Sequence, residues 1–199
     1  MDRLFNQYSL IRYPGCIRRV IHGSNEKNFE INFFGIARLT KYFIPFMREN
    51  EKGTILTISA AGGNISPPFQ GMFYASTYAL EGFMEALRME LNPFNVKVAL
   101  IGAKHIHSIS CLEIAPSKIS NENYTKQVEK TLEIFEKDKK RNIPPLKIAK
   151  LILKIMKKEN PALKYYIDHV PGSLIELKNK IHLKWYEQML LSHFQVKSY

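Results

Sequence analysis

Two histidines, His105 and His107, stand two positions apart just after a predicted strand. Imidazoles at this spacing could supply two ligands from one edge of a metal site. Cys111 is the lone cysteine near them, and we interpret the pair as coincidental loop histidines, with no metal bound. Cys111 lies in no motif that would activate a thiol, so we predict that it is inert.

An acid, a base and a hydroxyl occur together further along, at Asp168, His169 and Ser173. These are the residue types of a hydrolase triad. Hydrolases of the α/β type present the serine in a Gly-x-Ser-x-Gly turn, and the sequence contains no such turn. The three residues therefore do not support a hydrolase.

Helices and strands alternate along the chain and determine where functional side chains can lie. Residues 29–49 favour a helix that is buried on more than one side and kinked late by Pro45. The β-branched run Thr54–Ser59 is typical of a buried parallel strand. The further predicted elements are a helix at Phe73–Leu91, strands at Val96–Ile101 and Lys164–Ile167, and helices over 122–140, 145–158 and 173–194. This alternation predicts an α/β fold, an open parallel sheet with helices on both faces.

Composition limits the class of protein. The 199 residues are 45% apolar and 24% charged, as in an ordinary globular domain. Two cysteines without Cys-x-x-Cys spacing fit a reduced, cytoplasmic protein, and no apolar run is long enough to span a bilayer. We predict a single domain over 1–199.

The net charge of +11 is concentrated at one end. Residues 137–199 hold 14 Lys+Arg against 5 Asp+Glu, a net charge of +9. Within 145–158, lysines recur at helical spacing opposite isoleucines and leucines, which predicts an amphipathic helix. Our main interpretation is a solvated lysine face with the apolar face on the sheet, and membrane-surface or phosphate binding is the alternative. We predict no nucleic-acid partner.

Four stretches of sequence carry a family resemblance. They are FEINFFGIARLTKYFIPFMRE with its Asn32-x-x-Gly35 element, GTILTISAAGG, GMFYASTYALEGFMEALRMEL and VKVALIGAKHIHS. Together they resemble the catalytic half of the short-chain dehydrogenase/reductase family. The resemblance implies part of a Rossmann-like, doubly wound parallel sheet, NADP or NAD as cofactor, and a small-molecule carbonyl or alcohol as substrate if the protein is active.

The resemblance also implies where the catalytic groups belong. In the family a tyrosine protonates the carbonyl, a lysine one helical turn later lowers the pKa of that tyrosine and holds the nicotinamide ribose, and an earlier serine polarises the carbonyl. A gap-free match of ALEGFMEALRMEL places Phe73, Thr77 and Ala60 at the tyrosine, lysine and serine positions. Asn32, which helps to hold a water in the family's proton relay, keeps its identity. We therefore expect catalysis to have been lost.

A shift of one residue is the alternative. It would make Tyr74 the proton donor, with Ser59 as a possible partner, but it places Tyr78 where the lysine should stand. A tyrosine without that cation is poorly matched to proton transfer at neutral pH.

Cofactor contacts follow from the resemblance alone and are weak. The chain contains no Gly-rich turn for the pyrophosphate, and we predict that it does not bind the cofactor by itself. Residues 1–28 are either irregular or a degraded fourth-strand region, in which Asp2–Ser9 resemble the family's fourth strand and its loop. Residues 109–143 correspond to the substrate loop and 173–199 form a helical tail, so that the chain corresponds to the second half of a family domain. The matched contact positions are Asn6, Ser59, Ala103, Ile106 and Ser108.

Three functions remain open. The first is a family member without turnover. The second is an NADP-dependent carbonyl reductase or alcohol dehydrogenase completed by a separate N-terminal segment. The third is an interaction module that forms a homodimer through helices 29–49 and 73–91. The strand near Leu4 and Phe5 would then have an unpaired edge, which predicts low solubility or obligate association.

Overall fold

The computed structural model describes residues 3–6, 28–60, 66–103, 122–139, 143–167, 177–178 and 180–196. The predictions on Cys16, His105, Ile106, His107, Ser108, Cys111, Asp168, His169 and Ser173 lie outside the described residues, as do most of 1–28 and, within the predicted 109–143 segment, residues 109–121 and 140–142.

Among the described residues, four parallel strands form one sheet. They are β1 (Arg3–Asn6), β2 (Gly53–Ala60), β3 (Val96–Ala103) and β4 (Lys164–Ile167), in the order β1-β2-β3-β4. Asn6 is opposite Thr57, Ser59 opposite Gly102, and Ala103 opposite Ile167. In the described part of the chain β1 pairs with β2 alone. The α/β prediction, with a parallel sheet, is confirmed.

Five α-helices accompany the sheet in the described part of the chain. They are α1 (Gly35–Glu49), α2 (Gly71–Leu91), α3 (Glu122–Lys139), α4 (Pro145–Met156) and α5 (Leu183–His193). A π-helical turn at Glu30–Phe34, which the sequence pattern did not predict, precedes α1 without a break, and α1 continues through Pro45 to Glu49. The predicted tail helix over 173–194 is interrupted among the described residues, since Leu177 is helical, Lys178 and Lys180 lie in turns, and α5 begins at Leu183.

Each face of the sheet has its own core. On one face α1 and α2 cover β2 and β3, with the buried residues Ile36, Met47, Ile55, Leu80, Met84, Leu87, Leu91, Val96, Val98 and Leu100. On the other face α4 packs over the sheet, with Leu56, Ile58, Ala99, Ile101, Ala103, Ile143, Ile148, Ile155 and Ile167. Helices on both faces are what a doubly wound sheet requires. No described helix is long and apolar enough to cross a membrane.

Candidate functional site

The candidate site lies at the carboxyl edge of the sheet. Because the strands are parallel, Asn6, Ala60, Ala103 and Ile167 end at the same edge. The end of α2 lies at the opposite edge, where Arg88 Nη1 donates to the carbonyl oxygen of Val98 near the start of β3 at 2.7 Å, so the first turns of α2 lie toward the carboxyl ends of the strands. In open parallel sheets ligands bind outside the carboxyl ends of the strands. We refer to this region as the carboxyl edge.

Asn32 reaches α2 through a buried hydrogen bond. Its Nδ2 donates to Ser76 Oγ at 3.0 Å, and Ser76 Oγ donates to the carbonyl oxygen of Phe73 at 2.7 Å. Asn32 and Ser76 are both fully buried. Ser76 was not predicted as a site residue, because a single serine at a long separation from Asn32 gives no sequence pattern that would have identified it.

Phe73 and Thr77 lie on the side of α2 that faces the sheet. They precede Leu80 and Met84 by helical spacing, and those two residues pack in the core against β2 and β3. Phe73 is 1% exposed and Thr77 is 0% exposed. Thr77 Oγ1 donates to the carbonyl oxygen of Tyr74 at 2.8 Å, so its hydroxyl is used within the helix.

Tyr74 belongs to a group of tyrosines on another side of α2. Its ring lies 5.0 Å from that of Phe73, edge to face, and Tyr78 packs against this pair. Lys178 Nζ donates to Tyr78 Oη at 2.6 Å. Burial, with smaller contributions from Tyr78 and Tyr74, raises the pKa of Tyr186 in α5 to about 12. The structure thus brings a cation to Tyr78 from 100 residues further along the chain, a contact that no local spacing could reveal.

Several buried polar atoms near the carboxyl edge have no hydrogen-bond partner among the described residues. They include Ser59 Oγ, Asn32 Oδ1 and Gln70 Oε1. Ser59 is the penultimate residue of β2, and Gln70 immediately precedes α2. Unpaired buried polar atoms are costly, so they are natural partners for water or a ligand group.

The chemistry of the carboxyl edge is limited by its residue types. Asn6, Ser59, Ala60, Ala103, Phe73 and Thr77 include no titratable group and no charge. Ser59 and Asn32 could hydrogen-bond a ligand. At the gap-free family positions, Phe73 and Thr77 supply neither a proton donor nor a cation for the ribose, so these two residues do not fit NAD(P) in the way that the family holds it. In the described part of the chain no three His, Cys, Asp or Glu side chains could hold a metal ion together.

Known proteins match this chain in sequence and in fold. The family model of short chain dehydrogenases matches residues 17–110. The chain is 35% identical to the 3-ketodihydrosphingosine reductase of Bacteroides thetaiotaomicron over 163 residues, which cover 81% of this chain and 60% of that protein. It is 40% identical to dehydrogenase/reductase SDR family member 7B of Mus musculus over 108 residues, which cover 54% of this chain and 33% of that protein.

The fold comparison agrees. A short-chain dehydrogenase from Streptomyces avermitilis superposes with a TM-score of 0.73 and 25% identity, covering 98% of this chain and 70% of that structure. A parallel α/β sheet with these matches defines a Rossmann-like fold. The chain belongs to the short-chain dehydrogenase/reductase family. It spans between a third and three-fifths of the length of the two relatives named above.

Proposed function

We propose that this chain is a member of the family that does not catalyse carbonyl reduction. The observation that carries the proposal is the pair Phe73 and Thr77 on the sheet-facing side of α2. The family resemblance implies a tyrosine and a lysine at these positions. Phenylalanine has no proton to donate, and the hydroxyl of Thr77 is bonded to the carbonyl of Tyr74. Neither residue can replace the acid and the cation that the reaction needs.

The structure also offers support for an active alternative. In the shifted register Tyr74 is the acid. Lys178 donates a hydrogen bond to Tyr78, which lies one helical turn after Tyr74, and so brings a positive charge to the position where the family has its lysine. In this alternative the protein is an NAD(P)-dependent reductase whose cofactor turn comes from a separate N-terminal segment. The substrate class we propose for it is the one in the name of the Bacteroides relative, a 3-ketodihydrosphingosine-like carbonyl compound.

One co-expression experiment distinguishes the non-catalytic proposal from the active alternative. The chain is co-expressed with the part of the Bacteroides reductase that precedes the aligned region, and NADPH oxidation is measured with 3-ketodihydrosphingosine. The non-catalytic proposal predicts no turnover with the natural chain, and turnover with an Ala60→Ser, Phe73→Tyr, Thr77→Lys triple variant. Turnover by the natural chain that disappears in Tyr74→Phe would establish the alternative.

A direct binding measurement provides the control. The chain alone, titrated with NADPH, should show neither fluorescence enhancement of the cofactor nor a higher unfolding temperature. Saturable binding would contradict the prediction that the chain does not hold the cofactor by itself.

We further propose that α1 and α2 pair with a second copy of the chain. The supporting observation is their exposed apolar side chains, since Leu39 is 51%, Tyr42 66% and Met89 68% exposed. The start of α1 lies beside α2, because the ring of Phe33, in the π-helical turn that leads into α1, is 5.8 Å from that of Phe83. A two-fold dimer would bury the same patch on both copies.

The test of the dimer is the mass of the protein in solution. The natural chain should have twice the monomer mass by light scattering, and Tyr42→Glu should reduce it to the monomer mass. Trp185→Glu on α5 is the matched control, because Trp185 is 70% exposed and lies outside the proposed interface. A monomeric natural chain would refute the dimer.

We also propose a cytoplasmic location, on the basis of the cysteines. Cys16 and Cys111 are the only two in the chain and do not form the framework of a secreted protein. Alkylation of intact cells followed by mass spectrometry should find both thiols free, and a disulfide between them would refute the location.

A further inference from the structure

Helix α4 exposes two leucines on the side that faces away from the sheet. Leu146 is 66% exposed and Leu153 is 60% exposed, whereas Ile148 and Ile155 are 4% and 1% exposed in the core. Each exposed leucine precedes a buried isoleucine by two positions, which is roughly 200° around the helix axis. The leucines therefore lie on the outermost side of α4, where a helix packed beside it on the same face of the sheet would not cover them.

Lysines accompany these leucines. Lys150, Lys154 and Lys157 are exposed, and none of them forms a salt bridge with a described residue. Lys150 and Lys157 follow Leu146 and Leu153 by four positions each, so they occupy the same side of the helix. The helix Pro145–Met156 contains no Asp or Glu. This side is therefore both strongly positive and locally apolar.

We propose that this side of α4 binds the surface of an anionic lipid bilayer. We name it the lysine–leucine face and define it as Leu146, Lys150, Leu153, Lys154 and Lys157. Lysines near an anionic surface each add to binding, and their long stems let the ammonium groups stay at headgroup level. The two leucines are about 10 Å apart along the helix axis, so both can enter the headgroup region when α4 lies parallel to it.

The leucines decide between a membrane and a nucleic acid. A phosphate backbone would attract the lysines equally well, but it offers nothing for an exposed leucine to bury against. Arginine and aromatic residues, which stack on bases, are missing from α4. The observations thus favour a lipid surface. The proposal is independent of whether the chain has catalytic activity.

Vesicle sedimentation with the full chain tests the proposal. The probes are vesicles of phosphatidylcholine with phosphatidylserine, and vesicles of phosphatidylcholine alone. The chain should sediment with the anionic vesicles only, and the binding should weaken as salt is added. Lys150→Glu with Lys154→Glu should weaken it by at least about 20-fold, because each lysine near the surface contributes roughly fivefold. Leu146→Ser with Leu153→Ser should weaken it several-fold and leave the salt dependence unchanged.

The matched control is Lys126→Glu with Lys130→Glu on α3, which reverses two exposed lysines one helical turn apart. It should retain most of the binding. All replaced residues are exposed, so circular dichroism and unfolding temperature should be unchanged in every variant. The proposal is overturned if anionic vesicles do not bind, if both lysine pairs matter equally, or if the leucine variant binds like the natural chain. Binding of duplex DNA that depends on the α4 lysines but not on the leucines would also overturn it, in favour of a nucleic-acid contact.

Discussion

The amide of Asn32 donates a hydrogen bond to the hydroxyl of Ser76 across 3.0 Å, between two fully buried side chains. The bond joins the π-helical turn before α1 to the first half of α2. It fixes the start of one helix against the other beside the carboxyl edge. Asn32 Oδ1 has no partner among the described residues, so this bond is the one described hydrogen bond of the Asn32 side chain.

Ser76→Ala should destabilise the protein by about 1–2 kcal/mol, because it leaves the buried Nδ2 of Asn32 without an acceptor. The free energy of unfolding in urea measures the effect. Ser192→Ala on α5 is the matched control, since Ser192 is exposed and should change stability by less than about 0.5 kcal/mol. Equal effects of the two substitutions would show that the hydrogen bond between Asn32 and Ser76 adds nothing to the free energy of unfolding.

Gly53 is predicted to be intolerant of a side chain. A Cβ at this position would lie 2.6 Å from Met47 Sδ and 2.9 Å from Met47 Cβ, so α1 would have to move away from the start of β2. Gly53→Ala should destabilise by about 1–3 kcal/mol, as other overpacked cores do. Thermal or urea unfolding measures it.

The control for Gly53 is another glycine. A Cβ on Gly82, within α2, would meet nothing within 4 Å. Gly82→Ala should therefore stabilise the chain by about 0.4–1 kcal/mol through the lower entropy of the unfolded state. If Gly53→Ala also stabilises the chain, Met47 does not lie close enough to position 53 to exclude a Cβ.

Much of the fold could be predicted from the sequence, since local patterns determine most of it. The β-branched run Thr54–Ser59 and the helix-forming run Phe73–Leu91 give strong periodic signals, and both elements formed within two residues of the predicted ends. The π-helical turn at Glu30–Phe34 was missed, because its wider hydrogen-bonding pattern depends on packing rather than on residue type.

The candidate site was less accessible to prediction. The positions of Phe73 and Thr77 came from a resemblance, and strand and helix patterns alone would not have singled them out. The contacts of Lys178 with Tyr78 and of Glu81 with Lys164 join residues about 100 and 80 positions apart. Only the packed fold decides which long side chains meet at such separations, so no spacing rule could have identified them.

Glu81 on α2 and Lys164 at the start of β4 should form a pH-sensitive contact. Their side chains lie 3.1 Å apart, with Glu81 buried and Lys164 31% exposed. Burial raises the pKa of Glu81 above its usual value of 4.5, and Lys164 offsets part of that effect. Lys164→Met should raise the pKa of Glu81 further and destabilise the chain at neutral pH by about 1–3 kcal/mol.

The sign of the pH dependence follows from the raised pKa. A carboxyl whose pKa is higher in the folded than in the unfolded state contributes stability at low pH that is lost as the pH rises through the folded-state value. The loss of folding stability caused by Lys164→Met should therefore become smaller as the pH is lowered toward 4.5. Adding Glu81→Gln should remove most of the pH dependence. Urea unfolding across the pH range measures the effect, and a loss of stability in Lys164→Met that becomes larger in acid would contradict this account.

Tyr186 should make stability fall at alkaline pH. Its hydroxyl is buried without a hydrogen-bond partner among the described residues, and burial is the main cause of its raised pKa of about 12. The neutral phenol therefore adds stability below pH 10 that is lost as the pH rises from 10 toward 12. Tyr186→Phe removes the unpartnered hydroxyl, so it should change stability at neutral pH by less than about 1 kcal/mol and reduce the alkaline loss.

Tyr42→Phe is the matched control, because Tyr42 is 66% exposed, and it should leave the alkaline loss as it is. Unfolding measured at neutral and alkaline pH, together with the ultraviolet titration of the phenols, distinguishes these outcomes; an unchanged alkaline loss in Tyr186→Phe would show that another group is responsible.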